Sequence, residues 1–228
     1  AVRRIGDYIQ DNKGGGDPLS KIIENPDSNG KYKQVLVVAL KEDAGEYSFS
    51  HVESQEFKEY TKYLYKGKKG NALDATPTSR ITEVKRTFKK FLGWFENYKD
   101  YPLSEEEIES VRRMGEAIKA DQDKILAELQ DKFSSRKAGD SSILTLVFDD
   151  GINIKYLGDI PLFRNVLLNK GCKAFSNKYG VESIGQDKVC SVCGDVKEQV
   201  YSFAVPWTFH NYDKPGNIAG GFNVAESW

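Results

Sequence analysis

The chain has 228 residues, enough for one large or two small cores, and 39% of them are hydrophobic, which excludes a disordered tail. Its 33 Lys and Arg against 34 Asp and Glu give a net charge of -1, which excludes a globally basic nucleic-acid binder but not a local basic patch. No apolar run nears the roughly 18 residues needed to span a bilayer, and Ala1-Val2-Arg3-Arg4 leads into no signal region, so the expected setting is the cytoplasm. The start at Ala1 and the stop at Trp228 read as a processed product or as a piece cut from a longer protein.

Ile5 to Gln10 reads as a short amphipathic segment, broken by the glycines and proline of Asn12 to Pro18. Pro26 to Gly30 is a turn signal that feeds Tyr32 to Leu40, a β-branched run that predicts a buried strand. Tyr47, Phe49 and His51 alternate with Ser48, Ser50 and Val52 on a second predicted strand. Ser54 to Tyr65 reads as helical, ended by the basic glycine loop Lys66-Gly67-Lys68-Lys69-Gly70. From Arg80 a helical period places Ile81, Val84, Phe88, Leu92 and Phe95 on one core stripe.

Ser104-Glu105-Glu106-Glu107 has the form of a capping box. Apolar residues then recur from Ile108 to Phe133 as one long helix, or as two that break near Gly115 or Ala120. Ser134 to Ser142 reads as a polar linker. Ile143 to Phe148 and Ile152 to Leu157 read as strands around Asp149-Asp150-Gly151, where Asp-Gly marks a hairpin. Pro161 to Tyr179 reads as a helix with proline in its first turn, followed by strand signals around Val200 to Phe203. The pattern predicts an α+β fold of helices packed with short antiparallel strands and hairpins.

Charge is distributed unevenly. Residues 58 to 99 carry 11 basic and 4 acidic side chains, whereas residues 100 to 131 carry 10 acidic and 4 basic. Either region reads as a solvated helix face, or the basic one as a surface that meets a polyanion. Tyr60, Tyr63 and Tyr65 interleave with Lys58, Lys62 and Lys66, which suits single-stranded nucleic acid and equally suits a packed tyrosine face.

Cys190-Ser191-Val192-Cys193-Gly194 looks like half of a zinc knuckle, since a structural zinc takes four ligands. Cys172 and His210 are candidates to complete it, against the plainer readings of a buried thiol and a packed histidine. The expected division is therefore a domain over 1–180 and a partial zinc-ribbon-like segment over 181–228. Asp149 and Asp150 are candidate carboxylates of a metal-dependent nuclease, but aspartate at a turn is explained by local hydrogen bonding. No phosphate-binding loop occurs, and Gly14-Gly15-Gly16 before Asp17-Pro18 reads as a hinge.

Four blocks, taken in order, resemble a known family. They are Asp17-Pro18-Leu19 with Ile23-Glu24-Asn25-Pro26; Tyr63 to Lys66 with Thr76-Pro77-Thr78-Ser79 and Thr87 to Phe95; Lys155 to Pro161; and Cys190 to Gly194 with Asp213 to Gly216 and Gly220-Gly221-Phe222. The pattern resembles the large subunit of type I-B CRISPR interference (Cascade) complexes, Csh type. The resemblance implies a non-enzymatic protein that binds target DNA, inspects the short motif beside the target (the PAM) and helps recruit a separate helicase-nuclease. It implies partners among the crRNA-bound Cascade subunits, and a chain about twice this length. It also implies a second cysteine pair after Gly220-Gly221-Phe222. Zinc is then expected in the full-length protein and held weakly, or not at all, by this chain through Cys190 and Cys193.

The expected phosphate contacts are Lys62, Lys66, Lys68, Lys69, Arg80, Lys85, Arg86, Lys89 and Lys90, with Gly67 and Gly70 letting the loop enter a groove. The competing expectations are the nuclease on Asp149 and Asp150, and a scaffold that binds protein alone.

Overall fold

The computed structural model describes residues 18–67, 73–98, 101, 103–178, 181–182, 184–190 and 194–201. Leu19–Leu167 forms one compact unit, and the described residues from Leu168 onward belong to a second.

The larger unit is organised by two strands, β1 (Tyr32–Asp43) and β4 (Ser141–Asp149). Val35 to Leu40 is buried without interruption, as is Ser142 to Phe148. A strand covered on both faces needs such a continuous run, and that is the signature of parallel pairing. The two strands do pair in parallel, with Val35 opposite Ile143 and Leu40 opposite Phe148. This differs from the expected antiparallel set, because an apolar run carries no information about strand direction. The remaining strands are antiparallel, as expected. β2 (Glu46–Glu56) pairs with β1 through Ala44 and Gly45, whose φ values of 48° and 81° suit a two-residue hairpin turn. β3 (Ser79–Ile81) and β5 (Ile154–Tyr156) pair with β4, in the order β2-β1-β4-β3.

Three helices lie between β3 and β4 in sequence: α1 (Val84–Glu96), α2 (Glu105–Ala120) and α3 (Gln122–Ser134). The helical period expected from Arg80 begins later, because Arg80 and Ile81 belong to β3. Glu83 starts α1 by accepting hydrogen bonds from the N–H groups of Lys85 and Arg86. The capping box at Ser104 and Glu107 is present, and the long helix breaks after Ala120. Gly115 is no break. A Cβ there would lie 2.9 Å from Phe95 Cβ, so glycine permits the close approach of α2 to Phe95 on α1.

The helix expected over Ser54 to Tyr65 is absent. β2 continues to Glu56, and only Tyr60–Tyr63 forms a 3-10 turn, ended by Leu64 at φ 48°. Sheet pairing overrides the local period here, since Gln55 and Glu56 are opposite Val35 and Gln34.

Both faces of the parallel pair are covered. On one face Val35, Val37, Ala39 and Val147 form a cluster with Tyr63, flanked by Phe57 and Tyr156. On the other, Phe148 stacks at 6.1 Å on Phe163 of α4 (Pro161–Ser176), and Phe163 meets Trp94 of α1 at 5.4 Å. Buried hydroxyls are satisfied: Thr78 donates to the Tyr63 carbonyl at 2.6 Å and lies 2.9 Å from the Thr145 hydroxyl.

The second unit contains two short antiparallel pairs, β6 (Asn177–Lys178) with β7 (Val181–Glu182) and β8 (Ile184–Val189) with β9 (Val196–Tyr201). The zinc-ribbon-like ending expected over 181–228 is not shown: the described residues of that segment form β7 and the β8–β9 hairpin, and Cys193, His210 and residues 202–228 lie outside the described residues. Among the described residues no helix is long and apolar enough to cross a membrane.

Candidate nucleic-acid interface

Helix α1 divides sharply into two faces. Val84, Thr87, Phe88, Phe91, Trp94 and Phe95 are buried. Lys85, Arg86 and Lys89 are exposed and Lys90 is half-buried, so four cations follow one another along the outer face. Glu83 occupies the amide groups at the start of the helix, which leaves the side chains as the anion-seeking groups.

Two adjoining depressions flank this face. One, of about 340 Å³, is lined by Tyr65, Asp74, Ser79, Arg80, Arg86 and Lys90, among others. The second, of about 480 Å³, is lined by Leu73, Arg86, Lys89, Lys90, Glu96 and Asn97, among others. They share Arg86 and Lys90. The fold thus gathers Arg80, Arg86, Lys89 and Lys90, with Lys85 on the same helix.

Arg80 is half-buried and held in place. Its guanidinium lies 4.9 Å from the ring centre of Tyr32 and 5.3 Å from that of Tyr65, and Nη2 donates to the Pro26 carbonyl at 2.7 Å. Its Nε is buried and finds no hydrogen-bond partner. Burial pushes the Tyr65 hydroxyl up to about 12, against the opposing pull of Arg80.

Lys62 and Lys66 line neither depression. Lys62 pairs with Glu59 at 3.0 Å and lies 5.4 Å from the centre of the Tyr156 ring. The hydrogen bond to Glu59 raises the Lys62 ammonium above the usual lysine value. Lys66 pairs with Glu24 at 2.8 Å. Such exposed pairs are weak. Lys68, Lys69 and Gly70 lie outside the described residues. A Cβ on Gly67 would clash with the Tyr65 hydroxyl, so this glycine accommodates Tyr65.

Of the interleaved tyrosines, Tyr63 and Tyr65 are buried at 3% and 5% exposure, which favours the packed face over a base-stacking platform. Asn97 and Leu73 line the second depression although no sequence signal marked them; only proximity to α1 in the fold singles them out.

The Asp149 and Asp150 carboxylates serve the turn. Asp149 accepts from the Gly151 N–H, and Asp150 accepts from the N–H groups of Ile152 and Asn153 and pairs with Lys155 at 3.0 Å. The Asn153 N–H foremost, then Lys155, holds Asp150 at about 2. Cys190 sits at the β8–β9 turn, where its carbonyl accepts from the Gly194 N–H and its N–H donates to the Asp195 carbonyl, each at 2.8 Å. Cys172 falls on α4. Among the described residues no group of three or more His, Cys, Asp and Glu side chains converges to hold a metal ion, so they do not by themselves complete a zinc site.

The model of the N-terminal domain of CRISPR-associated protein TM1802 (cas_TM1802) matches residues 1–169, and the model of the central domain of the same protein matches residues 187–228. No curated protein and no solved structure matches the chain. The two domain matches follow one another in the family's order, cover most of the chain and agree with the resemblance to a CRISPR large subunit. The chain therefore belongs to the family of the CRISPR-associated protein TM1802, of which it carries the N-terminal domain and central-domain sequence.

Proposed function

We propose that this chain is a non-catalytic DNA-binding subunit of a type I-B Cascade effector, acting in the cytoplasm in antiviral defence. In this reading the outer face of α1 meets the target duplex beside the PAM. The observation that carries it is the gathering of Arg80, Arg86, Lys89 and Lys90 around two adjoining depressions, on a chain whose total charge is near zero. Phosphates are spaced regularly along a duplex, and a row of cations along one helix neutralises several of them at once. Lys62 and Lys66 add weaker contacts in this reading. Membership of a CRISPR-associated family supports the setting, with crRNA-bound Cascade subunits and a recruited helicase-nuclease as partners. The engagement of Asp149 and Asp150 in their turn supports a role without catalysis.

The test is binding of a labelled duplex across a salt series. Log affinity falls with log salt at about 0.9 per phosphate contacted. The triple variant Arg86→Glu, Lys89→Glu, Lys90→Glu lowers affinity and flattens that slope. A slope identical to that of the parent chain overturns the proposed face. In the same tubes Mg²⁺ or Mn²⁺ produces no cleavage; cleavage lost in Asp149→Ala would establish the nuclease instead.

A further inference from the structure

A separate cleft lies at the carboxyl end of the parallel pair β1 and β4. It has a volume of about 430 Å³ and an apolar floor that includes Met114, Phe148, Ile160 and Leu162. Its rim carries Glu42 from β1, Glu106 and Glu107 from the first turn of α2, and Asp159 before α4, against the single cation Lys155. Lys155 is already paired with Asp150 at 3.0 Å. Glu107 and Asp159 each accept a backbone N–H, from Ser104 and Tyr156 respectively. Neither Glu42 nor Glu106 lies within ion-pair distance of a cation among the described residues, although, after Asp150, Glu42 is near enough to Lys155 to help raise that ammonium. The neighbouring acids behave differently: Glu109 and Glu116 are engaged by Arg112, and Glu109 by Arg113 as well.

We infer that this cleft docks a protein segment in which a large apolar side chain is flanked by lysine or arginine. The apolar floor favours burial of a leucine or phenylalanine side chain. The carboxylate rim repels phosphate, which removes nucleic acid as the occupant and attracts cationic side chains. The hairpin that bears Lys155 also exposes Ile152 at 88% and Ile154 at 52%, further apolar surface for a partner. The acidic cleft is lined by residues entirely different from those of the basic depressions, so one chain offers separate surfaces to protein and to polyanion. This inference does not rest on the DNA-binding proposal.

The experiment uses the full chain and the labelled, end-blocked peptide Arg-Leu-Phe-Lys-Arg, read by fluorescence anisotropy. Controls are Arg-Ala-Ala-Lys-Arg and Glu-Leu-Phe-Glu-Glu. The basic apolar peptide binds saturably and at least tenfold more tightly than either control. Glu42→Gln with Glu106→Gln weakens it at least tenfold, whereas Asp123→Asn with Asp131→Asn, an equal change of charge on α3, leaves it unchanged. Circular dichroism establishes that both variants fold, and duplex binding is measured in parallel. Equal binding of the alanine peptide, or equal loss in both variants, overturns the inference by showing charge attraction alone. Concentration-dependent self-association that competes with the peptide also overturns it, since a second copy would then be the occupant.

Discussion

Gly158 packs its α-carbon against the backbone of Thr61 so closely that an added Cβ would lie 2.9 Å from the Thr61 carbonyl oxygen. It would also lie 3.2 Å from both Cα and the carbonyl oxygen of Lys62. The obstacles are backbone atoms, which cannot swing aside. Gly158 therefore lets the Leu157–Asp159 turn meet the Tyr60–Tyr63 turn beneath one face of the sheet. Gly158→Ala is expected to cost about 1–3 kcal/mol as an overpacked contact. Urea unfolding followed by tryptophan fluorescence measures it, and an unchanged midpoint contradicts the close approach.

The exposed cations of α1 are expected to act through charge alone. Lys85→Glu with Lys89→Glu removes two phosphate contacts and so lowers the salt slope of duplex binding by about 1.8. Folding is untouched, since both side chains point away from the buried face. The loop variant Lys66→Glu, Lys68→Glu, Lys69→Glu, measured alongside, reports the separate share of the glycine loop.

Asp150 predicts a stability that depends on acid. Its carboxyl stands at about 2 in the folded chain against 3.8 ordinarily, chiefly through the Asn153 N–H. A depressed folded value means a stabilising contribution that is complete above the unfolded value and lost as pH falls through the folded one. Asp150→Asn keeps an acceptor oxygen but loses the charge that meets Lys155. The variant is expected to unfold more easily than the parent at neutral pH, with the gap closing between about pH 4 and pH 2. A gap that stays constant across that window contradicts the assignment.

The thiols yield a prediction about metal content. Cys190 and Cys193 would supply at most two of the four ligands that a structural zinc takes, so the chain is expected to hold less than one tightly bound zinc after dialysis. Elemental analysis decides it. A full equivalent retained against a mild chelator would bring in Cys172 and His210.

Much of this architecture was legible in the chain. The continuous apolar runs of β1 and β4, the capping box at Ser104 and the Asp-Gly turn after β4 are local, and local chemistry specifies them. The order and spacing of the four blocks sufficed to indicate a CRISPR large subunit, and the family match agrees. The excess of cations over residues 58 to 99 was equally plain. What counting could not do was sort those cations. Lys62 and Lys66 carry the same charge as Lys89, yet they sit beside Glu59 and Glu24, while Lys89 joins Arg86 and Lys90 on one helix face. Only the packing of α1 through Phe88, Phe91 and Trp94 decides which side chains turn outward together. The parallel register of β1 with β4 was likewise beyond the sequence, because more than 90 residues separate the strands and their partnership is set by the helices and turns that cover both faces. The acidic cleft at the end of that pair follows from the same register: Glu42, Glu106 and Asp159 are scattered along the chain and share a rim only once β1, α2 and the turn before α4 have been brought to one end of the sheet.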